Sequence, residues 1–366
     1  MQYPQGQNCC DSNYQNNCYT GCGTQYPIVP GSNPALNYWN GQNFVVADGS
    51  STNPIILPFF EINAGTPSYI LGANNAGKLG YYSVSTQATG YFNILIVAGG
   101  GSGGGTGANY GGGGGGGGVL QITIPYIANI TYSVGIGSGG LATTAIGQNG
   151  NNSNFGTFVA IGGGGGGVGG SAVFKDGLNG GSGGGGGAVQ NATAGSGGLA
   201  TSQQGNFGGS GSGANSVYNG AGGGGGAGGS GANGIASIGG GGGAGGIGVA
   251  STIYDGTIRY YGGGGGGTNR VAVGSPTNVP LGGNGGGGNG RVNTSTIAQS
   301  GTANTGGGGG GNDGTSFVAG NGGSGIVIVS YNSPTQIATG GTVTSYSVNG
   351  ATFWVHTFTT SGNFIS

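Results

Sequence analysis

Short apolar, β-branched segments recur along this chain, and none shows the i, i+3, i+4 spacing of a helix-length amphipathic face. In the first quarter, strand-length runs lie at Phe44 to Ala47, Ile55 to Ile62, Ser68 to Leu71 and Leu79 to Val84, broken by Asn, Gly, Pro and Asp turn signals. Two nearly continuous apolar runs follow, Asn93-Ile-Leu-Ile-Val-Ala-Gly99 and Gly325-Ile-Val-Ile-Val-Ser-Tyr331, which the pattern predicts as framing strands and neighbours. Between them stand Val119 to Ile124, Ile130 to Val134 and Phe155 to Ile161. At the end, Thr342 to Val348 and Thr352 to Thr359 flank Asn349-Gly350, the strongest short-range hairpin signal. The pattern predicts an all-β protein without substantial α-helix, in three parts. These are a β-rich segment over 1–92, a central region over 93–332 and a C-terminal hairpin over 333–366.

What separates the central strands changes the picture. Seven uninterrupted runs of five to eight glycines lie between Gly111 and Gly311, in a chain with 106 glycines among 366 residues. A single glycine run loses so much conformational entropy on ordering that it should stay disordered. Many runs together behave differently, because buried backbone N–H and C=O groups must be paired. In an extended left-handed threefold helix those groups project sideways, available to neighbours that only glycine allows close enough. Eleven prolines and no sustained Gly-X-Y period exclude collagen. Regularly placed apolar segments distinguish the region from a flexible linker. The expectation is a strand framework carrying stacked polyglycine II helices. At about 3.1 Å per residue, a six-residue run spans roughly 19 Å and crosses a layer once before reversing in a variable segment.

Charged residues make up 3% of the chain, and the formal net charge is −1. Without a basic stripe, nucleic acid is not an expected partner. With so few titratable groups, no convergent acid–base or nucleophilic cluster is expected, so the reading is a non-enzyme with no cofactor. His356 is the only histidine and reads as structural, sharing its strand face with Trp354 and Phe358. Gly72-Ala-Asn-Asn-Ala-Gly-Lys-Leu79 fits a phosphate-binding loop up to Lys78, but Leu79 stands where Ser or Thr must bind Mg²⁺, and a strand follows where a helix is required. The six carboxylates are scattered, which argues against a calcium cage. The longest apolar stretch is too short to span a bilayer, and Met1-Gln-Tyr-Pro-Gln5 lacks the basic and apolar regions of an ordinary secretory signal.

All four cysteines, Cys9, Cys10, Cys18 and Cys22, fall in the first 22 residues. They read as a disulfide clasp, with Cys9 to Cys18 and Cys10 to Cys22, the crossed pairing, or bonds between subunits all open. A four-thiolate zinc site is the weaker reading, since the spacing is not of the paired C-x-x-C kind. Disulfides imply an oxidising environment, extracellular or on a mature virion surface. Sequons at Asn129, Asn151, Asn191 and Asn293 are candidate glycosylation sites.

Ile94-Leu-Ile-Val-Ala-Gly-Gly-Gly101, Phe155-Gly-Thr-Phe-Val-Ala-Ile-Gly-Gly-Gly164 and Gly322-Gly-Ser-Gly-Ile-Val-Ile-Val-Ser-Tyr331 together resemble a glycine-rich domain family over about residues 93–332. Such domains occur in phage tail-fibre proteins and adhesins and in giant-virus and bacterial surface proteins. The later glycine runs also look like the polyglycine layers of fibre-tip adhesins, and the resemblance implies that variable loops at a layer edge contact a receptor. A segment like Gly340 to Ile365 commonly precedes the opening strand in that family, whereas here it follows the domain. Two expectations follow for the hairpin carrying Val343, Trp354, His356 and Phe358. Either it docks beside Ile94 to Ala98 of the next subunit, or it folds back on its own domain. The functional expectation is a self-associating subunit of an extracellular filament or virion fibre. The alternative is a receptor- or glycan-binding adhesin whose Tyr218, Tyr254, Tyr260 and Tyr261 stack on sugar rings at a tip.

Overall fold

The computed structural model describes five strand segments before residue 84 and, from Gly90 to Ser366, all residues except 106–109, 144, 170–173, 190–191, 214–218, 238–240, 271–278, 293–296 and 314–317. Two compact units divide the chain, Met1–Thr86 and Gln87–Ser366. In the first, β1 (Asn37–Trp39), β2 (Asn43–Ala47) and β3 (Pro54–Pro58) form an antiparallel sheet in that order, and β4 (Tyr69–Ala73) pairs with β5 (Leu79–Ser83). Ala73 and Leu79 are paired across the β4–β5 ladder, so the stretch that mimics a phosphate loop joins two strands and opens no helix. The cysteines lie outside the described residues.

The second unit contains β6 (Tyr91–Val97), β7 (Val119–Pro125), β8 (Thr131–Gly135), β9 (Ser153–Phe155), β10 (Phe158–Ala160), β11 (Asn219–Gly220), β12 (Val249–Ser251), β13 (Arg259–Tyr261), β14 (Asn269–Arg270), β15 (Ile326–Asn332), β16 (Thr342–Val348), β17 (Ala351–Phe358) and β18 (Gly362–Ile365). No helix occurs among the described residues. Five strands form an antiparallel sheet in the order β16-β17-β15-β6-β7, and four form a second in the order β10-β9-β8-β18. The framing strands are neighbours, with Val327 opposite Ile96 and Val329 opposite Ile94. Both are covered on two sides, which is why they read as continuous apolar runs rather than alternating ones. Phe92, Ile94, Ile96, Val327, Val329 and Tyr331 face the second sheet through Val134, Phe155 and Phe364. Leu95, Val97, Ile326 and Ile328 face the other way, against Val119, Val355 and Tyr261.

One expectation is corrected. Phe155 to Ile161 is not one strand but the hairpin of β9 and β10, which turns at Gly156 with φ +55°, a left-handed conformation that glycine tolerates. Of the two placements open to the C-terminal hairpin, the structure shows the one on its own chain. β17 pairs with β15 from Val327↔Phe358 to Asn332↔Phe353, and β6 already has β15 on one edge and β7 on the other, so the position beside Ile94 to Ala98 is filled within the same chain. The hairpin turns at Asn349 and Gly350, both with positive φ (51° and 80°), as a two-residue primed turn requires. A further strand follows it: β18 pairs with β8 and seats Phe364 between the sheets.

The glycine runs form a regular array on this base. In the run 111–118, Gly111, Gly114 and Gly117 donate to the carbonyls of Asn312, Gly309 and Gly306. Gly112, Gly115 and Gly118 donate to Gly167, Gly164 and Ile161, while Gly113 and Gly116 donate to Gly222 and Gly225. These bonds are 2.7–3.0 Å long. The same neighbour returns at every third residue. Carbonyls of the run accept with the same period, from Thr268 and Gly265, from Gly104, Gly101 and Ala98, and from Gly185 and Ser182. The run thus has six bonded neighbours: 98–104, 161–167, 182–186, 222–225, 263–268 and 306–312. Those six close a ring around it through Gly163 to Gly99, Gly164 to Ser182, Gly222 to Gly186, Gly224 to Gly265, Gly308 to Gly263 and Gly309 to Gly101.

At the rim, side chains replace backbone as acceptors. The N–H groups of Ala142, Gly165, Ser196, Leu199, Ser210 and Gly282 donate to the Oδ1 atoms of Asn321, Asn149, Asp176, Asn179, Asn233 and Asn289 at 2.7–2.9 Å.

Candidate binding surface at the distal end

The register gives the second unit two unlike ends. At the base, the chain enters at Gly90, whose carbonyl accepts from Tyr126 N–H at 2.9 Å. Ser366 ends beside it: its backbone accepts from Asn129 N–H and donates to Ile130 C=O, and its hydroxyl donates to Ile127 C=O at 2.6 Å. The two sheets stand above this base, and the array rises from the ends of β6 and β10 and the start of β7.

At the distal end, the residues flanking the long connections are bonded side by side. Tyr110 bridges Ala188, Gly169 N–H donates to Tyr110 C=O, Asn219 pairs with Arg270, and Asn269 bridges Val292. Arg291 and Asp313 form an ion pair (Nε to Oδ1, 3.2 Å) with little exposure of either side chain, and Arg291 Nη1 also donates to Asn312 Oδ1. Burial keeps this pair well coupled, and it ties two flanks together. The connections 106–109, 170–173, 190–191, 214–218, 271–278, 293–296 and 314–317 join residues at this end, and their sequences contain no Lys, Arg, Asp or Glu. Phe174, Ile297 and Val318, which follow three of these connections in the sequence, are exposed.

The sequence-derived candidates are divided by this geometry. Tyr218, Asn191 and Asn293 lie outside the described residues. Tyr254, Tyr260 and Tyr261 instead sit in and beside the β12–β13 hairpin, which packs on the five-stranded sheet. Tyr261 is buried against Leu95, Val97 and Ile328, and Tyr254 is partly buried in the same cluster, so neither offers a free ring face to a sugar at the tip. Arg259 stands 4.7 Å over the Tyr254 ring and pairs with Asp255 at 2.6 Å. The Arg259 guanidinium, with Thr257, holds the Asp255 carboxyl well below the usual carboxylate range. Tyr260 alone of the three is exposed. Asn129 is an exposed turn residue with φ +61° at the base, and Asn151 lies exposed on the array rim, its Nδ2 donating to Ser138 Oγ.

In the hairpin, Val343 is half-buried opposite His356, Trp354 packs against the main core, and Phe358 is buried within it. His356 is fully buried. Tyr331 Oη accepts from the N–H groups of Ile337 and Ala338, so its own proton points to His356 Nε2 at 3.2 Å. His356 Nδ1–H then donates to Gly340 C=O at 2.7 Å, which fixes the neutral Nδ1–H tautomer. Desolvation pushes the imidazole below its ordinary value, partly offset by the Gly340 bond. The folded state thus disfavours the charged form relative to the unfolded chain, which titrates near pH 6.5. The stability this site contributes is complete above that pH and is lost progressively as pH falls through it toward the lower folded value. Denaturant midpoints measured across this window should decline toward acid in the wild type and stay level in His356→Phe, which has no imidazole to charge.

An antiparallel β-sandwich base bearing a hydrogen-bonded glycine array defines an all-β glycine-rich domain. The Glycine-rich domain family matches residues 74–332, and the chain belongs to that family. No curated protein and no solved structure matches it.

Proposed function

We propose that this protein is a rigid presentation module of an extracellular or virion-surface appendage, which binds a receptor or uncharged glycan through the distal connections. The observation that carries this reading is the polarity of the second unit. Gly90 and Ser366 share the base, the hairpin is engaged with its own sheet, and described residues that flank the longer connections, among them Tyr110, Ala188, Asn269 and Val292, are bonded together at the opposite end, where variable loops on a stiff scaffold commonly carry function. We read the array as polyglycine II helices, because a threefold repeat of donors and acceptors with six neighbours is what hexagonally packed threefold helices require. The connections are rich in Asn, Ser, Thr and Gly, include Tyr218 and Phe317, and carry no charge. That chemistry suits hydrogen bonding and ring stacking to a neutral ligand, with binding little changed by added salt.

A filament subunit is the second reading. Its supporting observation is β16, a seven-residue edge strand without charge or proline, and such an edge is a template for pairing with another chain. Negative-stain electron microscopy of the non-reduced protein separates the two. Discrete particles that lose binding to cells or a neutral-glycan panel when 214–218 and 271–278 are replaced by Gly-Ser of equal length support presentation. Long uniform filaments, with binding indifferent to those replacements, support the polymer.

A further inference from the structure

We infer that the Asx-Gly pairs on the array rim are lateral terminators, side chains that occupy the place of a further chain and stop the array from taking up another copy sideways. Inside the array, an N–H meets a backbone carbonyl of the next run. At the rim, Asn149, Asp176, Asn179, Asn233, Asn289 and Asn321 supply that carbonyl from a side chain.

Every one of these six is followed by glycine. A Cβ on the following residue would collide with the backbone of an inner run: Gly150 faces Gly99, Gly177 faces Gly184, Gly180 faces Gly164, Gly234 faces Gly220, Gly290 faces Gly267 and Gly322 faces Gly100. Each pair therefore directs one residue into the array and the other across its edge. Asp176 and Asn179 perform the same task three residues apart, on Ser196 and Leu199, so the shared requirement is an acceptor oxygen at this position rather than an amide. Without the caps, these N–H groups have the spacing and direction to meet a carbonyl of a second molecule's glycine segment. The partner that fits the uncapped rim is another copy of this chain.

The test replaces Asn149, Asn179, Asn233, Asn289 and Asn321 together by alanine and follows mass by sedimentation velocity and amide exchange by mass spectrometry. Terminators predict a concentration-dependent increase in mass over wild type, exchange at Gly165 and Leu199 faster by about tenfold or more, and unchanged protection of β6 and β15. Sedimentation identical to wild type overturns the inference, and so does loss of protection throughout β6 and β15, which would make the caps supports of the whole fold. The single variants Asn179→Asp and Asn179→Ala give a second measurement that does not depend on the multiple variant folding. Aspartate should preserve Leu199 protection and alanine should not; equal behaviour of the two also overturns the inference.

Discussion

Replacing Gly114 by alanine is expected to destabilise the second unit by at least about 3 kcal/mol, the upper range for overpacking, with further loss wherever array bonds open. Gly114 is buried in the run that six others surround. Its Cβ would stand 2.7 Å from the Gly101 carbonyl carbon and closer still to the oxygen, and 2.8 Å from that of Ser102. All of these are backbone atoms, so no side chain can swing aside. Run 98–104 would have to retreat, taking with it the bonds from Gly101 to Gly115 and from Gly104 to Gly112. The control is Gly229→Ala, whose added methyl comes within 3.2 Å of the Ile247 side chain and only within ordinary contact, 3.8 Å, of a backbone atom, Ile247 N. That substitution should change stability by less than about 1 kcal/mol, and its reduction of unfolded-state entropy acts in the favourable direction. Denaturant unfolding of the two variants side by side measures the difference; similar midpoints would mean that the array yields as a loose assembly does.

Phe364→Ala is expected to cost about 3–5 kcal/mol, as for other buried aromatics. The ring is fully buried and meets Phe92 and His356 edge-on, each at 5.1 Å and 88°, and Phe155 at 5.7 Å. It is the residue through which β18 joins the two sheets, and Ser366 beyond it bonds to the segment 127–130. Removing the ring should lower the denaturant midpoint and speed amide exchange in β8, whose edge β18 covers, before it affects β6 or β15. A midpoint within about 1 kcal/mol of wild type would show that the C-terminal strand is not part of the cooperative core.

Much of the base was legible in the sequence, because its side chains carry the pattern. The strands around Ile94 and Ile328 were marked by apolar runs, and Asn349-Gly350 marked the last hairpin. β18 escaped notice because Gly362-Asn-Phe-Ile365 is short and has one core side chain, Phe364. Tyr261 read as a loop aromatic because the pairing of β13 with β12, which turns its ring onto Leu95, joins segments too short to show alternation. The order of the glycine runs was beyond reading for a deeper reason. Gly111 to Gly118 have no side chains with which to prefer 98–104 or 306–312 as neighbours, so those choices come from the strands that launch the runs and from the caps at the rim. The caps themselves were present in the sequence as repeated Asn-Gly pairs, a signal that resembles a turn until the partner N–H is known.

The near-absence of side chains inside the array also sets how this fold responds to temperature. Unfolding it exposes mainly peptide groups, and exposing polar surface lowers heat capacity while exposing apolar surface raises it. Heat capacity of unfolding for the second unit should therefore fall below the usual value of about 12–15 cal/mol/K per residue. A small heat capacity flattens the stability curve, so the array should keep its stability on cooling far better than a domain of the same length held together by an oily core.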